Sequence, residues 1–317
     1  MAERHGQRWF TRAASWGLVL LCTLPLAADR RTKGPDRTAM APRVASVRFD
    51  RIESDVDIQA GLRLTGAWRV RVGDSRFAGL SALAVSPDGL LALADSGWLI
   101  DLPRPGEGAT ARLRDLPAGP GPPNFKKNRD SEALAADPTG WWVTFEFRHS
   151  LWHFAPDWRS GREVASFRHL GWRVNTGVEA IVRLDDGRLL LISESGRFVL
   201  EGTPGRGFER RSLTGATGGV ADAARLPDGR IVVAVREVGW GLVNRLAWLE
   251  RSGRGYRLRP FATVQLGPFD NIEGLAAEPL PGGGTRLWAV TDNDGWRRNL
   301  LLEMELPASG ARNAAKR

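Results

Sequence analysis

Residues 177–196 read GVEAIVRLDDGRLLLISESG, two short apolar runs joined by an Asp-Asp-Gly turn. The glycine supplies the positive φ that a tight turn needs, so the stretch predicts a β-hairpin. Glu179 opens the first run and Glu194 closes the second. A carboxylate on an inward strand end is costly unless it is paired, hydrated or bound to a cation. The hairpin therefore raises the question of what these two acids face.

The same pattern occurs four more times: a polar opener, an apolar strand, a Pro/Asp/Gly turn, a second apolar strand and a polar close. The other segments are GLSALAVSPDGLLALADSGW (79–98), DSEALAADPTGWWVTFEFRHSLWHF (130–154), GVADAARLPDGRIVVAVREVGW (219–240) and NIEGLAAEPLPGGGTRLWAVTDNDGW (271–296). The five openers are spaced 51, 47, 43 and 51 residues apart, at Ser81, Glu132, Glu179, Asp222 and Glu273. Such a period, with several strands per unit, predicts an all-β fold, a β-propeller of five or six blades.

The composition fits an exported protein without nucleic-acid partners. The 317 residues carry a formal charge of +9, yet only four of the 45 basic residues are lysine. Scattered arginine of this kind is more typical of coding bias than of the concentrated basic stripe that binds polyanions. The only cysteine, Cys22, lies in the N-terminal apolar segment. The mature domain is therefore expected to have no disulfide and no thiol chemistry.

The N-terminal segment predicts export. Three arginines precede an apolar stretch over 13–28, the pattern of a signal peptide covering 1–28. An uncleaved anchor is the alternative, and no other membrane span is expected. We expect a disordered linker over 29–45, a single propeller domain over 46–306 and a disordered tail over 307–317, with residues 46–72 closing the ring against 300–306. The predicted location is the periplasm or the medium.

The openers predict a metal site. The innermost strand of each propeller blade lines the central channel, so Glu132, Glu179, Glu273 and Asp222 should converge there as a ring of carboxylates. Asp292 and Asn293 are predicted as additional ligands. An all-oxygen set favours a hard divalent cation, Ca²⁺ above all. Asp222 stands seven residues before its turn glycine, where the other three openers with the same turn stand eight. Without a bulge that slip turns Asp222 to the other face. The alternative is that the acids pair with arginines and bind no metal.

A second set of polar residues closes the second strands, at Asp95, Glu146, Glu194, Arg236 and Asp292. Carboxylates and guanidinium groups at one mouth suit phosphate-ester chemistry, in which acids hold a cation and arginines contact the phosphate. We therefore predict Arg148 and Arg236 as catalytic contacts. His149 is the one candidate general acid beside this set, and a packed hairpin residue is the alternative.

An ordered set of motifs resembles a known family. The segments DSEALAADPTG, TFEFRHSLWHF, GVEAIVRLDDGRLLLISE, DAARLPDGRIVVAVRE and NIEGLAAEPL, followed by VTDND and NLLLEMEL, cover about 60–306. They resemble the phytase-like domain family, also described as the esterase-like activity of phytase. The resemblance implies an exported bacterial β-propeller, related by name to calcium-dependent phytases, that hydrolyses phosphate or other esters. The chain departs from the family pattern at Ser81, where an acid is expected, and at Val235-Arg236-Glu237, where a glutamate is expected to end the strand.

These observations lead to two functional hypotheses. The first is a monomeric, exported, metal-assisted hydrolase of a small-molecule ester or phosphate ester. The second is a non-catalytic propeller that binds a ligand or a protein at its channel mouth. A ring of acids fits both, whereas a catalyst also needs an open coordination position on the cation.

Overall fold

The computed structural model describes residues 42–53, 56–59, 61–173, 176–292 and 298–308, and these residues are predominantly β-strand. Short 3-10 turns occur at Lys126–Asn128 and Arg168–Leu170. Within the described ranges, no helix is both long and apolar enough to cross a membrane. The all-β prediction is confirmed.

The described strands lie in three hydrogen-bonded sheets, of nine, four and nine strands. Within these sheets a run of four antiparallel strands recurs five times, and we refer to each run as a blade. The inner strands are β4 (Leu80–Ser86), β8 (Ser131–Asp137), β12 (Val178–Arg183), β16 (Gly219–Arg225) and β20 (Asn271–Pro279). The second strands are β5 (Gly89–Ala94), β9 (Gly140–Phe145), β13 (Leu189–Ser193), β17 (Ile231–Val238) and β21 (Thr285–Asp292). The third strands are β6 (Trp98–Leu102), β10 (Ser150–Phe154), β14 (Phe198–Thr203), β18 (Leu242–Ser252) and β22 (Leu300–Leu306). The outer strands are β7 (Thr110–Asp115), β11 (Gly161–Ser166), β15 (Gly207–Thr214), β19 (Gly255–Gln265) and, from the N-terminal side, β3 (Arg63–Val72).

The blades surround a common axis. Each inner strand contacts the inner strand of the next blade, and β20 of the last blade contacts β4 of the first. Buried apolar residues form clusters between every pair of adjacent blades, including the pair that closes the ring. For example, Trp288 of the last blade and Leu83 of the first share one such cluster. Burial of these faces holds the blades together and leaves the polar starts of the inner strands around the axis.

Within the described residues, a strand from 46–72 pairs with residues 300–305, as the sequence predicts. Strand β3 completes the last blade by pairing with β22, with Trp68 opposite Leu301. Strand β1 (Arg43–Arg51) pairs with β3 and also with β7 of the first blade, and β2 (Asp57–Gln59) pairs with β19.

Only some of the predicted domain boundaries fall within the described residues. Strand β1 begins inside the stretch predicted as linker, because Arg43 pairs with Leu113 and makes residues 43–45 part of the sheet. The predicted signal peptide (1–28), most of the linker (29–45) and all but two residues of the tail (307–317) lie outside the described ranges.

Candidate metal centre

Each inner strand carries a β-bulge near its first residue. The register against the second strand shifts across one residue in every blade, and the residues passed over are Ser81, Glu132, Glu179, Ala221 and Glu273. A bulge inserts one extra residue and re-aims its side chain. Four of the five predicted openers are therefore the bulged residues themselves. The fourth blade differs, since Ala221 holds the bulge position and Asp222 follows it.

Five carboxylates from the second and third blades meet at this end of the channel. Asp130, Glu132 and Glu146 each place an oxygen within 4.8 Å of the other two, and so do Glu146, Glu179 and Glu194. Glu146 belongs to both groups. Hairpin register explains the meeting: the Glu146 amide donates to the Asp130 carbonyl over 2.8 Å, which sets the end of β9 beside the start of β8.

The carboxylates disfavour one another's ionisation. Burial and the nearby Glu179 hold the pKa of Glu132 well above its ordinary value. Burial, Glu146 and Glu194 do the same to the pKa of Glu179. Burial and the neighbouring Asp130 raise the pKa of Glu146 to about 8. Burial also raises the pKa of Glu194, against the opposing charge of Arg236. At neutral pH such a cluster must hold protons or bind a cation.

The residues present fit a hard divalent cation. Glu179 is only 9% exposed, and its carboxylate is grouped within 4.8 Å with those of Glu146 and Glu194. Buried carboxylates this close together are costly to ionise unless a cation lies between them. The candidate ligand atoms in both groups are carboxylate oxygens, which bind Ca²⁺ and Mg²⁺ rather than soft metals.

Two basic side chains border the five acids. Arg236 donates to Glu273 over 2.6 Å and lies 3.7 Å from Glu194. Asn271 also donates to Glu273, so this carboxylate has protein partners and lies next to the two acid groups rather than in them. On the opposite side, the Lys126 ammonium lies 2.8 Å from Asp95 and 3.8 Å from Asp130.

Asp222, predicted as a ligand, instead bonds to backbone. Its two carboxylate oxygens accept from the amides of Ala223 and Leu275, each over 2.7 Å, and the amide of Leu83 is a third donor. Burial still raises the pKa of Asp222, against these donors. Because it follows the bulge, its side chain links three backbone segments around the axis and stands outside the two acid groups.

Asp292, another predicted ligand, lies in the last blade. It ends β21 in register with Asn271, two residues before Glu273, and is not a member of the acid groups found in the described ranges. Asn293 lies outside the described residues. The bulge geometry thus places Glu132 and Glu179 in the acid groups, Glu273 beside them, and Asp222 elsewhere.

The predicted catalytic residues occupy three different settings. Arg236 borders the acids, as described above. Arg148 donates through Nε and Nη2 to the buried Asn128, which lies in the connection between the first two blades. His149 has a positive φ of 43° and is buried, and its ring meets Trp172 edge-on at 5.5 Å. Burial lowers the pKa of His149, which favours its neutral form. This setting favours the alternative that His149 is a packed residue of the hairpin and not a general acid.

Three members of the acid groups were not predicted as ligands: Asp130, Glu146 and Glu194. The sequence placed Glu146 and Glu194 at the ends of second strands, and Asp130 two residues before an opener. The signal for them is the hairpin register, since a tight turn brings the end of the second strand opposite the start of the first. By this register the two polar sets belong to one site.

The match to a known family covers the whole site. The model of the phytase-like family, described as the esterase-like activity of phytase, matches residues 75–295 and so includes every bulge and every acid named above. The chain belongs to this phytase-like family. No curated protein matches this phytase-like chain.

Solved structures with similar folds are distant. The PQQ-bound aldose sugar dehydrogenase of Streptomyces coelicolor is 14% identical with a TM-score of 0.48, covering 78% of this chain and 98% of that one. The glutaminyl cyclase of Myxococcus xanthus is 13% identical with a TM-score of 0.48, covering 78% and 97%. The virginiamycin B lyase of Staphylococcus aureus is 11% identical with a TM-score of 0.42, covering 74% and 70%. Likenesses this distant say nothing about the activity of the phytase-like chain.

Proposed function

We propose that this protein is an exported, Ca²⁺-dependent hydrolase of small phosphoric or carboxylic esters. The observation that supports it best is the pair of carboxylate groups sharing Glu146, with the basic side chain of Arg236 at their border. The five blades make up the complete ring in this proposal, and the protein acts as a monomer in the periplasm or the medium.

The cation would be held by Glu146 and Glu179 together with one or more of Glu132, Glu194 and Asp130. When bound, it supplies charge neutralisation at an ester or phosphoryl oxygen. Glu273 stays paired with Arg236 and holds the guanidinium beside the acids. Carboxylates of the same groups that are not used as ligands are the proton acceptors nearest to a hydrolytic water.

The arginines bind the anionic part of the substrate in this proposal. Arg236 contacts the oxyanion from the side opposite to Lys126, and its delocalised charge suits a phosphate. Arg148 is a second phosphate contact, oriented by the side-chain oxygen of Asn128. His149 takes no part in the chemistry, because its ring packs on Trp172.

Turnover of two activated esters tests the proposal. Purified protein is stripped with a chelator, reloaded with Ca²⁺, and assayed with p-nitrophenyl phosphate and p-nitrophenyl acetate. We expect chelation to abolish both activities. Glu179→Gln should lower both by more than roughly 10–100-fold, which is the usual loss when the mutated residue contacts a metal ligand and not the metal itself. Arg148→Ala should lower phosphate turnover more than acetate turnover, since a guanidinium fork matters most for a dianion.

Asp222→Asn is the matched control. It removes a central carboxylate that is bonded to backbone, so activity per folded molecule should be retained. If metal-loaded wild-type protein hydrolyses neither ester above the solvent blank, the hydrolase is excluded and the mouth is a binding surface. Thermal shifts with Ca²⁺ would then still report whether the carboxylates bind a cation.

A further inference from the structure

Large apolar side chains are exposed beside the proposed site. Trp240 is fully exposed (109%), Val238 is 81% exposed and Phe269 is 54% exposed. Trp240 lies in the turn between β17 and β18, and Phe269 lies in the connection from β19 to β20. Single exposed apolar residues are ordinary, but a group of them at a channel mouth points to a binding site.

The position of this apolar patch follows from Arg236. Val238 lies two residues after Arg236 on the same strand, so the two side chains leave the sheet on the same face. On that face β17 packs against the fifth blade through Val232 and Ala234, and Arg236 bonds there to Glu273 of the fifth blade. Val238 is therefore on the side of the fifth blade, one step nearer the end of the strand than Arg236.

Backbone hydrogen bonds hold the two loops of the patch together. The Leu242 amide donates to the Pro268 carbonyl over 2.9 Å, which joins the turn that carries Trp240 to the connection that carries Phe269. The Asn244 side chain donates to the Asp270 carbonyl over 3.1 Å and accepts from the Ile272 amide over 2.8 Å. The connection is thereby fixed to β20 directly before Glu273, and the patch has a defined place beside the site.

The mouth is consequently asymmetric. The five carboxylates come from the second and third blades, Arg236 comes from the fourth, and the apolar patch continues outward from the fourth blade to its junction with the fifth. A ligand that extends from the carboxylates to the apolar patch would place a polar group at the carboxylates and Arg236. Its apolar group would lie over Val238 and Trp240.

We propose that Val238, Trp240 and Phe269 form a subsite for the apolar acyl or alkyl group of an amphipathic ester. The inference rests on the proposed hydrolase, because it places the ester group at Arg236. The substrate class narrows to esters in which one side of the scissile bond is a hydrocarbon chain or ring. Burial of each added methylene should tighten binding up to about fourfold until the patch is covered.

A chain-length series tests the subsite. The substrates are p-nitrophenyl acetate, butyrate and hexanoate, kept below micelle-forming concentrations. Wild-type KM should fall with chain length while kcat changes little, since the patch binds a part of the substrate that does not react. Trp240→Ala and Val238→Ser should remove most of this dependence, and Trp240→Phe should restore it. Val44→Ser is the control, because Val44 is 71% exposed but lies on β1 at the periphery.

A binding measurement separates the subsite from the hydrolase. Calorimetric titration of Ca²⁺-loaded protein with methylphosphonate and hexylphosphonate needs no turnover. Tighter binding of the longer phosphonate that Trp240→Ala removes supports the subsite, even if no ester is hydrolysed and the proposed function fails. Hydrolysis with equal KM along the ester series, unchanged by Trp240→Ala, overturns the subsite and leaves the hydrolase standing. The subsite is also overturned if binding does not depend on chain length and Trp240→Ala instead abolishes binding of the wild-type protein to lipid vesicles or to itself. The patch would then be a membrane or protein contact.

Discussion

A single inserted residue decides whether an acid of the inner strands faces the site or the backbone. Glu132 and Glu179 are bulged residues and belong to the acid groups, whereas Asp222 follows the bulge at Ala221 and accepts backbone amides. Both kinds of carboxylate are close to the axis and both have raised pKa values. Their partners differ, and their predicted roles differ for that reason.

The first prediction contrasts these two carboxylates. Asp222→Asn should lower the free energy of unfolding by about 1–3 kcal/mol, because the amide nitrogen cannot accept from a buried backbone N–H. Its gain in stability on adding Ca²⁺ should equal that of the wild type. Glu179→Gln should show the reverse. Without metal it should cost little or no stability, because the carboxyl it replaces is buried among acids that disfavour its ionisation, and the gain with Ca²⁺ should be smaller. Urea unfolding with chelator and with Ca²⁺ measures both. A missing Ca²⁺ response in Asp222→Asn would make Asp222 a ligand and contradict the bulge assignment.

Part of this site could be predicted from residue types and spacing alone. The openers at Glu132, Glu179 and Glu273 stand at one repeat position, and a carboxylate in an apolar strand needs a partner. The direction of the Asp222 side chain in the fourth blade could not be predicted. The spacing shows that Asp222 is out of register with the other openers, but it does not show which residue forms the bulge. The role of Glu146 depends on its being shared between two blades, which is a property of the packed ring.

At the scale of elements, the inner strands approach unusually closely where the ring closes. A side chain at Gly274 would place its Cβ 2.8 Å from the backbone of Ala82 and Leu83. Strand β20 can therefore lie directly against β4 only because position 274 is glycine. The same contact brings the Leu275 amide to Asp222.

The second prediction tests this close approach. Gly274→Ala should destabilise the protein by about 1–3 kcal/mol or more, because two backbone segments must separate. Gly239→Ala is the matched control, since its Cβ meets nothing within 4 Å and its φ is not positive. That change should be neutral or stabilising by about 0.4–1 kcal/mol. Equal stability of the two variants in urea would show that β20 and β4 do not pack this closely.

The blades were predictable as elements, and their connections were not. Alternating polar and apolar runs around a Pro/Asp/Gly turn specify each inner hairpin locally. The connection over 116–130 has no such periodicity, yet it brings Lys126 to Asp95 and Asp130 and Asn128 to Arg148. Those contacts depend on where the first two blades meet, which no local pattern encodes.

At the scale of the whole molecule, the charge is unevenly distributed. The chain carries a formal charge of +9, while the five grouped carboxylates are concentrated at one end of the channel. Many arginines elsewhere in the described residues pair with acids. The exposed pairs among them, such as Arg48 with Asp50 and Arg259 with Glu250, contribute little to stability. The five grouped carboxylates should therefore make the largest contribution to the dependence of the protein's stability on pH and on cations.

The last prediction follows from Glu146. Its pKa is about 8 in the folded protein against an ordinary value of 4.5, so between these values the folded state binds more protons than the unfolded state. In chelator, the free energy of unfolding should therefore fall as pH rises from about 5 to 8 and level off above that. Ca²⁺ binds the deprotonated carboxylates, so the stabilisation it gives should grow over the same interval. Glu146→Gln should flatten both dependences, and Glu303→Gln, at a distant arginine pair, should leave them unchanged. Thermal unfolding from pH 5 to 9 with and without Ca²⁺ measures this, and metal-free stability that rose with pH in the wild type would contradict a cluster of mutually repelling carboxylates.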